Sequence, residues 1–136
     1  MKTNQLGRGG PFVSELGLGT MTFGAETDEA EAIRQLDLFL SAGGTFIDTA
    51  DVYADGESER IVGRWLASRR PDNIVLATKA RFRPPPGSSG ASRRGLIKAL
   101  DASLRRLGTE TIDVFYVHGW DPKADVLDTL ATLDAA

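Results

Sequence analysis

Three predicted strands in this chain end in residues whose side chains can hold or transfer a proton. Asp48, Lys79 and His118 each close an apolar run, and Tyr53 closely follows the first of them. A parallel strand buried on both faces is apolar throughout, so a titratable residue at its last position is out of place for packing. In a barrel of alternating strands and helices, active sites are built at this end of the strands. Three successive strands that end this way therefore indicate an active site. The runs are Thr45–Asp48, Ile74–Lys79 and Val114–His118.

The elements that must position these residues are strands and helices in alternation, four of each. The predicted strands are 16–20, 45–48, 74–79 and 112–118. The first helix is predicted to begin after an N-cap at Thr27 and to end at Gly43-Gly44. The second runs from about Glu57 to Ser68, the third lies between a Ser92 cap and Gly108, and the fourth spans Asp125 to Asp134. Strand starts recur every 30–40 residues or so, which is typical of successive βα crossovers.

Apolar spacing along the helices predicts which side chains are buried. The expected core residues are Ile33, Leu36, Phe39 and Leu40 in the first helix, Ile61, Val62, Trp65 and Leu66 in the second, and Leu96, Leu100, Leu104 and Leu107 in the third. Each set lies on one stripe of a helix with 3.6 residues per turn. Residues 83–90 are predicted to form an irregular loop, because three consecutive prolines forbid a helix.

The chain resembles the aldo-keto reductases. The stretches that carry the resemblance are LGLGTM at 16–21, FIDTADVY at 46–53, GESE at 56–59, ATK at 77–79 and IDVFYVH at 112–118. The similarity extends from about Leu6 to the last residue. It implies an α/β fold of the TIM (β/α)8-barrel type, with residues 1–136 forming one aldo-keto reductase-like domain that is the N-terminal half of the barrel. This half consists of the first four βα units and a hairpin at Gly7 to Phe12 that closes the bottom.

The resemblance also implies that Asp48, Tyr53, Lys79 and His118 form a catalytic tetrad. The implied reaction reduces small aldehydes or ketones to alcohols with NADPH or NADH, and the cofactor supplies the hydride. Tyr53 would donate the proton, since a neighbouring ammonium at Lys79 stabilises the anion that a phenol leaves behind. Asp48 would pair with Lys79 and keep it charged, and His118 would align the carbonyl oxygen. Without the other two residues, Asp48 and Lys79 would read as a buried ion pair that serves only the fold.

Other residues have weaker assignments. By resemblance, the nicotinamide lies near Gly19, Thr20, Met21 and Asp48, and Trp120 walls a substrate pocket, although it could equally cover the barrel rim. Asp51, Asp55, Glu57 and Glu59 form an acidic cluster, which we interpret as solvated helix-cap residues rather than as a metal site. Arg81 and Arg83 are assigned to a solvated loop in preference to a cofactor phosphate. Arg93, Arg94, Arg105 and Arg106 are assigned to a helix surface.

Composition excludes several other function classes. The net charge of −3 is unlike the basic surface that a nucleic-acid-binding protein presents. The absence of cysteine excludes disulfides, thiol catalysis and thiolate metal ligands. No apolar run approaches the roughly 18 residues that span a bilayer, and no signal-peptide segment leads the chain. We therefore expect a cytoplasmic protein that binds neither nucleic acid nor membrane.

Length leaves two other hypotheses open. An eight-unit barrel takes about 250 residues, whereas this chain has 136. We expect either a piece of a longer protein or a half-barrel that pairs as a homodimer, and a half-barrel could be a regulatory or inert protein without turnover. A Schiff-base aldolase also places a lysine at a strand end. Asp48 opposes that reading, because a close carboxylate keeps an ammonium charged.

Overall fold

The computed structural model describes residues 1–82 and 89–136. It contains a two-stranded antiparallel hairpin and a four-stranded parallel sheet whose strands follow chain order. The strands are β1 (Thr3–Gln5), β2 (Phe12–Ser14), β3 (Gly17–Gly19), β4 (Phe46–Asp48), β5 (Val75–Ala80) and β6 (Val114–Val117). The helices are α1 (Glu29–Ser41), α2 (Glu57–Arg69), α3 (Arg93–Leu107) and α4 (Val126–Asp134). The four predicted βα units are therefore confirmed.

The predicted N-cap of α1 is wrong by one residue. Asp28 caps the helix, and its side chain accepts a hydrogen bond from the backbone N–H of Glu31 at 2.9 Å. Thr27 instead bonds Thr22, through its hydroxyl and its backbone N–H. Both residue types can cap a helix. Because Thr27 is bonded to Thr22 in the preceding turn, Asp28 becomes the cap. The predicted cap at Ser92 and the predicted end of α3 at Gly108 are confirmed.

The N-terminal hairpin lies at the amino ends of the parallel strands. Residues 6–11, which include most of the predicted hairpin segment, form the connection between β1 and β2 rather than the strands themselves. Ser14 and Thr45, which precedes β4, exchange two hydrogen bonds of 2.8 and 3.0 Å between their backbone N–H groups and hydroxyls. These bonds place the hairpin at the bottom of the sheet, on the side opposite to the strand ends that carry the predicted site.

The hydrophobic core lies between the sheet and the helices α1 to α3. Its buried members come from five elements and are Ala32, Leu36, Ile47, Ile61, Val62, Trp65, Leu76 and Leu107, joined by Phe23. The predicted core residues Ile33, Phe39, Leu40 and Leu66 pack against this cluster while staying partly exposed. Leu100 and Leu104 are also half-buried. In the part of the chain that the structure describes, no helix has the length and apolar character to cross a membrane.

The other face of the sheet carries the candidate site. Asp48 pairs with Gly19 on one side and with Ala77 on the other, and Lys79 pairs with Tyr116. Because side chains alternate along a strand and directly paired residues project together, Asp48 and Lys79 lie on the same face. That face is opposite to the one that packs against the helices.

Candidate active site

Lys79 is the centre of the candidate site. Its Nζ lies 2.6 Å from Asp48 Oδ2, 2.8 Å from the carbonyl oxygen of Thr49 and 3.1 Å from Tyr53 Oη. The side chains of Lys79 and Asp48 are 14% and 29% exposed, so the ion pair is mostly shielded from water but reachable from one side. The predicted convergence of these residues at the carboxyl ends of the strands is therefore confirmed.

Tyr53 is held by a tight turn rather than by a strand. Its backbone N–H donates to the carbonyl oxygen of Ala50 at 3.2 Å, and a short 3-10 segment begins at Tyr53. Ala54 and Asp55 follow with φ angles of 47° and 52°, a left-handed conformation that side chains with a Cβ rarely adopt. The backbone that carries Tyr53 is thus bent over the end of β5, which brings its hydroxyl to Lys79.

His118 completes the cluster from the neighbouring strand. Its backbone N–H donates to the carbonyl oxygen of Ala80 at 2.7 Å, which extends the pairing of β5 with β6. The imidazole lies edge-on to the Tyr53 ring, with centroids 5.9 Å apart, and packs against Phe82 at 4.8 Å. Burial lowers the pKa of His118, and the Lys79 ammonium lowers it further, against a smaller opposing effect of Asp48. The ring is therefore neutral near pH 7 and can donate one hydrogen bond.

These four side chains can perform general acid catalysis on an oxygen atom. The Lys79 ammonium lies where it would stabilise negative charge on the phenol oxygen once a proton has been transferred. The carboxylate and the Thr49 carbonyl take two of the three ammonium hydrogens, which leaves one for the phenol oxygen. A neutral imidazole, edge-on to the phenol ring, supplies a second donor. The arrangement suits the protonation of a substrate oxygen that gains negative charge.

The residues predicted to lie near a nicotinamide differ in how much of each is accessible. Gly19 and the exposed Met21 lie at the carboxyl end of β3, beside Asp48. A Cβ added at Gly19 would meet no atom within 4 Å, so open space lies above this strand end. The Thr20 side chain is fully buried, and its hydroxyl donates to the carbonyl oxygen of Asp48 at 3.2 Å. Thr20 can therefore shape this edge of the site, whereas its side chain does not reach the surface.

Trp120 lines an apolar cavity at the edge of the sheet. Its side chain is 72% exposed, and the cavity of about 370 Å³ lies between β6 and α4. The cavity wall is mainly apolar and includes Phe115, Tyr116, Val126, Leu130 and Leu133. The assignment of Trp120 to a substrate pocket stays a prediction.

Comparison with known proteins assigns the family. The sequence pattern of the Aldo/keto reductase family matches residues 15–136, which is nearly the whole chain. The chain belongs to the aldo/keto reductase family. It is 40% identical to a norsolorinic acid reductase from Aspergillus flavus and 38% identical to an aryl-alcohol dehydrogenase [NADP(+)] from Phanerodontia chrysosporium, over 92% and 82% of the chain respectively.

A solved structure supports the same assignment. The fold superposes on the holo form of an aldo-keto reductase from Bacillus halodurans with a TM-score of 0.86 and 39% identity, over 99% of this chain and 46% of that one. The chain covers 36% and 34% of the two curated relatives. The chain therefore spans about a third of the length of those relatives and about half of the solved barrel. Its fold is the first four βα units of a (β/α)8 barrel.

Two expectations about charged residues in this aldo/keto reductase are wrong. Glu59, interpreted as a solvated cap, is fully buried and accepts hydrogen bonds from Thr78 and Arg106 at 2.6 and 2.5 Å. Arg106, assigned to the helix surface, is drawn inward by this carboxylate. The spacing of Glu59 to Val62 and Gly63, at i+3 and i+4, is the signal that places it on the buried face of α2. Within the described part of the chain, no group of three or more His, Asp or Glu residues could hold a metal ion.

Arg81 is also more buried than a solvated loop residue. Its side chain is 16% exposed, and its guanidinium lies 3.1 Å from Asp121, which joins the loop after β5 to the loop after β6. Backbone N–H groups of Ala91 and Lys123, together with Arg81, lower the pKa of Asp121 to about 2. Arg83, the other arginine considered for a cofactor phosphate, lies outside the described residues, as does most of the predicted loop at 83–90.

Proposed function

We propose that this chain carries the catalytic residues of a reductase that converts aldehydes or ketones to alcohols, with Tyr53 as the proton donor. The observation that supports this most strongly is the 3.1 Å distance between Lys79 Nζ and Tyr53 Oη. A fold-only role for the Asp48–Lys79 pair gives no reason for a phenol to share the same ammonium. The exposed side of the pair also leaves room for a substrate oxygen next to Tyr53.

Each residue has a separate part in the proposed mechanism. Lys79 stabilises the negative charge that Tyr53 Oη acquires as its proton leaves. Asp48 and the Thr49 carbonyl hold the ammonium in position. His118 is neutral and lies edge-on to the Tyr53 ring, where its N–H can align the substrate oxygen with Tyr53 Oη. Proton transfer to a developing oxyanion is worth typically 10²–10⁴-fold in rate.

The chain fits a nicotinamide cofactor at the end of β3, and we propose NADPH or NADH as the cofactor. When bound, the cofactor supplies the hydride that reaches the carbonyl carbon. The open space above Gly19 and the exposed side chain of Met21 leave a flat group room to lie beside Asp48. One relative is an NADP(+) enzyme by name, and the similar solved structure is a holo form. The name of the relative supports a nicotinamide cofactor, with NADPH as the first to test, and the holo form supports a bound cofactor.

The rings around His118 suggest the class of carbonyl substrate. Phe82 is 47% exposed, and its ring packs against the imidazole at the carboxyl end of the sheet. An aromatic substrate can stack on this exposed ring while its carbonyl oxygen reaches Tyr53. The name of one curated relative, an aryl-alcohol dehydrogenase, agrees with a substrate that carries an aromatic ring.

We further propose that residues 1–136 form the N-terminal half of one barrel domain. β3 and β6 lie at the edges of the four-stranded sheet. Edge strands have backbone N–H and C=O groups that can pair with another strand. The partner is either more of the same polypeptide or a second copy in a homodimer. Light scattering of the purified protein, read against its full sequence length, distinguishes these arrangements.

The matched variants Tyr53→Phe and Tyr116→Phe test the function. Both remove one phenolic hydroxyl, but Tyr116 lies on β6 as the sheet partner of Lys79 and is not one of the groups that its ammonium contacts. We expect Tyr53→Phe to lower kcat for an aromatic aldehyde by about 10²-fold or more, with cofactor affinity nearly unchanged. We expect Tyr116→Phe to stay within about threefold of the wild type. A Tyr53→Phe loss below about tenfold would rule out Tyr53 as the proton donor.

Two further measurements separate the alternative functions. Borohydride trapping of a ketone on Lys79 would identify a Schiff-base aldolase instead. Tight binding of reduced cofactor without turnover would identify a regulatory protein, and the absence of binding would identify an inert fragment. The reductase hypothesis predicts cofactor oxidation with no adduct on Lys79.

A further inference from the structure

A fully buried polar pair at the start of α2 connects to the residues around Lys79. Ser58 and Glu59 are consecutive residues in the first turn of α2, and both are fully buried. Glu59 Oε1 accepts a hydrogen bond of 2.6 Å from Thr78, the residue before Lys79 on β5. Ser58 Oγ lies 3.1 Å from Thr49 Oγ1, and Thr49 is the residue whose carbonyl oxygen accepts from Lys79 Nζ. The same helix turn thus holds both neighbours that determine where the Lys79 ammonium lies.

The pair is itself anchored on both sides. Ser58 Oγ also lies 2.8 Å from both the carbonyl oxygen and Oγ1 of Thr20, which follows β3. Glu59 Oε2 accepts from Arg106 Nε at the end of α3. A Cβ on Gly63 would come within 2.5 Å of the Leu107 carbonyl oxygen, so only glycine lets α3 approach α2 closely enough for this bond. Strands β3 and β5, the segment after β4 and helix α3 therefore all meet at two consecutive side chains.

We propose that Ser58 and Glu59 are positioning residues for the Lys79 ammonium and that they act through Thr49 and Thr78. This inference rests on the proposed reductase function. Neither side chain reaches the candidate site, so neither is a catalytic residue. Burying a carboxylate and four hydroxyls this completely is costly unless every group is paired. The hydroxyls are those of Thr20, Thr49, Ser58 and Thr78, and each has a hydrogen-bond partner. Ser58 and Glu59 form hydrogen bonds with Thr49 and Thr78, respectively. Thr49 and Thr78 are the two residues that fix Lys79 relative to Tyr53.

An isosteric pair of variants at Thr78, made in the complete protein, tests the proposal. Thr78→Val keeps the shape of the side chain and removes the hydroxyl that Glu59 holds, whereas Thr78→Ser keeps the hydroxyl. Because small misplacements of catalytic groups are costly, we expect Thr78→Val to lower kcat by about tenfold and Thr78→Ser to stay within about threefold of the wild type. The KM for the carbonyl substrate should change little in either variant, since no group that touches the substrate is removed.

The comparison of kcat with thermal stability distinguishes positioning from a purely structural role. Ile61→Val is the matched control, since Ile61 is a buried residue of α2 and has no polar link to the strand ends. It should lower thermal stability while leaving kcat at the wild-type value. Thr78→Val should lower kcat at unchanged KM even where its thermal stability equals that of Ile61→Val, and Thr78→Ser should restore kcat.

The outcomes separate this proposal from the function on which it rests. Wild-type kcat in Thr78→Val, with Tyr53→Phe inactive, would overturn the positioning role alone. An equal fall of kcat in Ile61→Val and Thr78→Val at equal thermal stability would overturn it as well. An active Tyr53→Phe would overturn the reductase function first. If Thr78→Val does not fold, Ser58→Ala, which removes the link to Thr49, takes its place with the same expected loss of kcat at unchanged KM.

Discussion

The two strands that supply Lys79 and His118 lie in very different surroundings. Strand β5 has a strand on each side, and all of its residues except Lys79 are buried. Strand β6 is an edge strand among the described residues, none of its four residues is fully buried, and Tyr116 is 41% exposed. The helices differ in the same way, since α2 buries six residues and α4 buries one.

The difference shows which part of the proposed mechanism this chain supports by its own packing. The proton-donating part consists of Asp48, Lys79 and Tyr53, and α2 and α3 pack against the opposite face of the sheet that carries it. The part that aligns the substrate oxygen, at His118, follows the edge strand β6, and the exposed side chains of Trp120 and of Leu130 in α4 line a cavity next to this strand. Apolar side chains exposed together often mark an interaction surface. A partner on this surface would therefore affect His118 more than Lys79.

The largest effect is expected from Lys79→Met, in the part of the site that lies on the buried strand β5. The change removes the cation between Asp48 and Tyr53, so kcat for an aldehyde should fall by at least about 10²-fold. Arg105→Met is the matched control, because Arg105 pairs with Asp101 on the outer face of α3, where both side chains are more than half exposed. Exposed pairs contribute about 0–1 kcal/mol, so this control should keep wild-type activity and nearly wild-type stability. Equal losses in the two variants, measured by steady-state kinetics, would contradict the catalytic role of Lys79.

A second pair of variants compares the packing of the two sides directly. Leu36 in α1 is fully buried, and Leu127 in α4 is 71% exposed. Leu36→Ala should lower the free energy of unfolding by about 2–5 kcal/mol. Leu127→Ala should lower it by less than about 0.5 kcal/mol, as is usual at an exposed position. Urea denaturation measures both, and an equally large loss at Leu127 would show that α4 is covered in the folded protein.

The smallest expected effect is the titration of His118. Burial and Lys79 hold its pKa below the ordinary value of 6.5, so in the window below 6.5 the folded protein binds fewer protons than the unfolded chain. Its contribution to stability is therefore complete above pH 6.5 and is lost as the pH falls through the folded pKa. The ring signals of His118, assigned by their loss in His118→Gln, should titrate below 6.5, and in Lys79→Met the midpoint should move up. A midpoint above 6.5 in the wild type would contradict the burial of the ring.

Local sequence patterns predicted the strand ends and both caps of α3 well. The apolar runs before Asp48, Lys79 and His118 are visible in sequence alone. Only β5 is buried almost throughout, whereas β6 has no fully buried residue. The wrong assignments concern Glu59, Arg81 and Arg106, whose burial depends on partners that lie 40 or more residues away or in another loop. The spacing of Glu59 to Val62 and Gly63 indicates the buried face of α2. No local spacing identifies the partner that a buried charged residue finds.

The hydrogen bond between Thr49 and Ser58 also limits how the gene can vary in length. The two residues are nine positions apart, and their bond closes the segment that carries Tyr53 into a loop tied at both ends to buried groups. The backbone of this segment cannot accommodate an inserted or deleted residue, because Ala54 and Asp55 already occupy a left-handed turn. The exposed connection at residues 6–11 of the hairpin lies at the opposite end of the sheet and carries no residue of the candidate site. Length variation among relatives should therefore collect in the hairpin connection and be rare between Thr49 and Ser58.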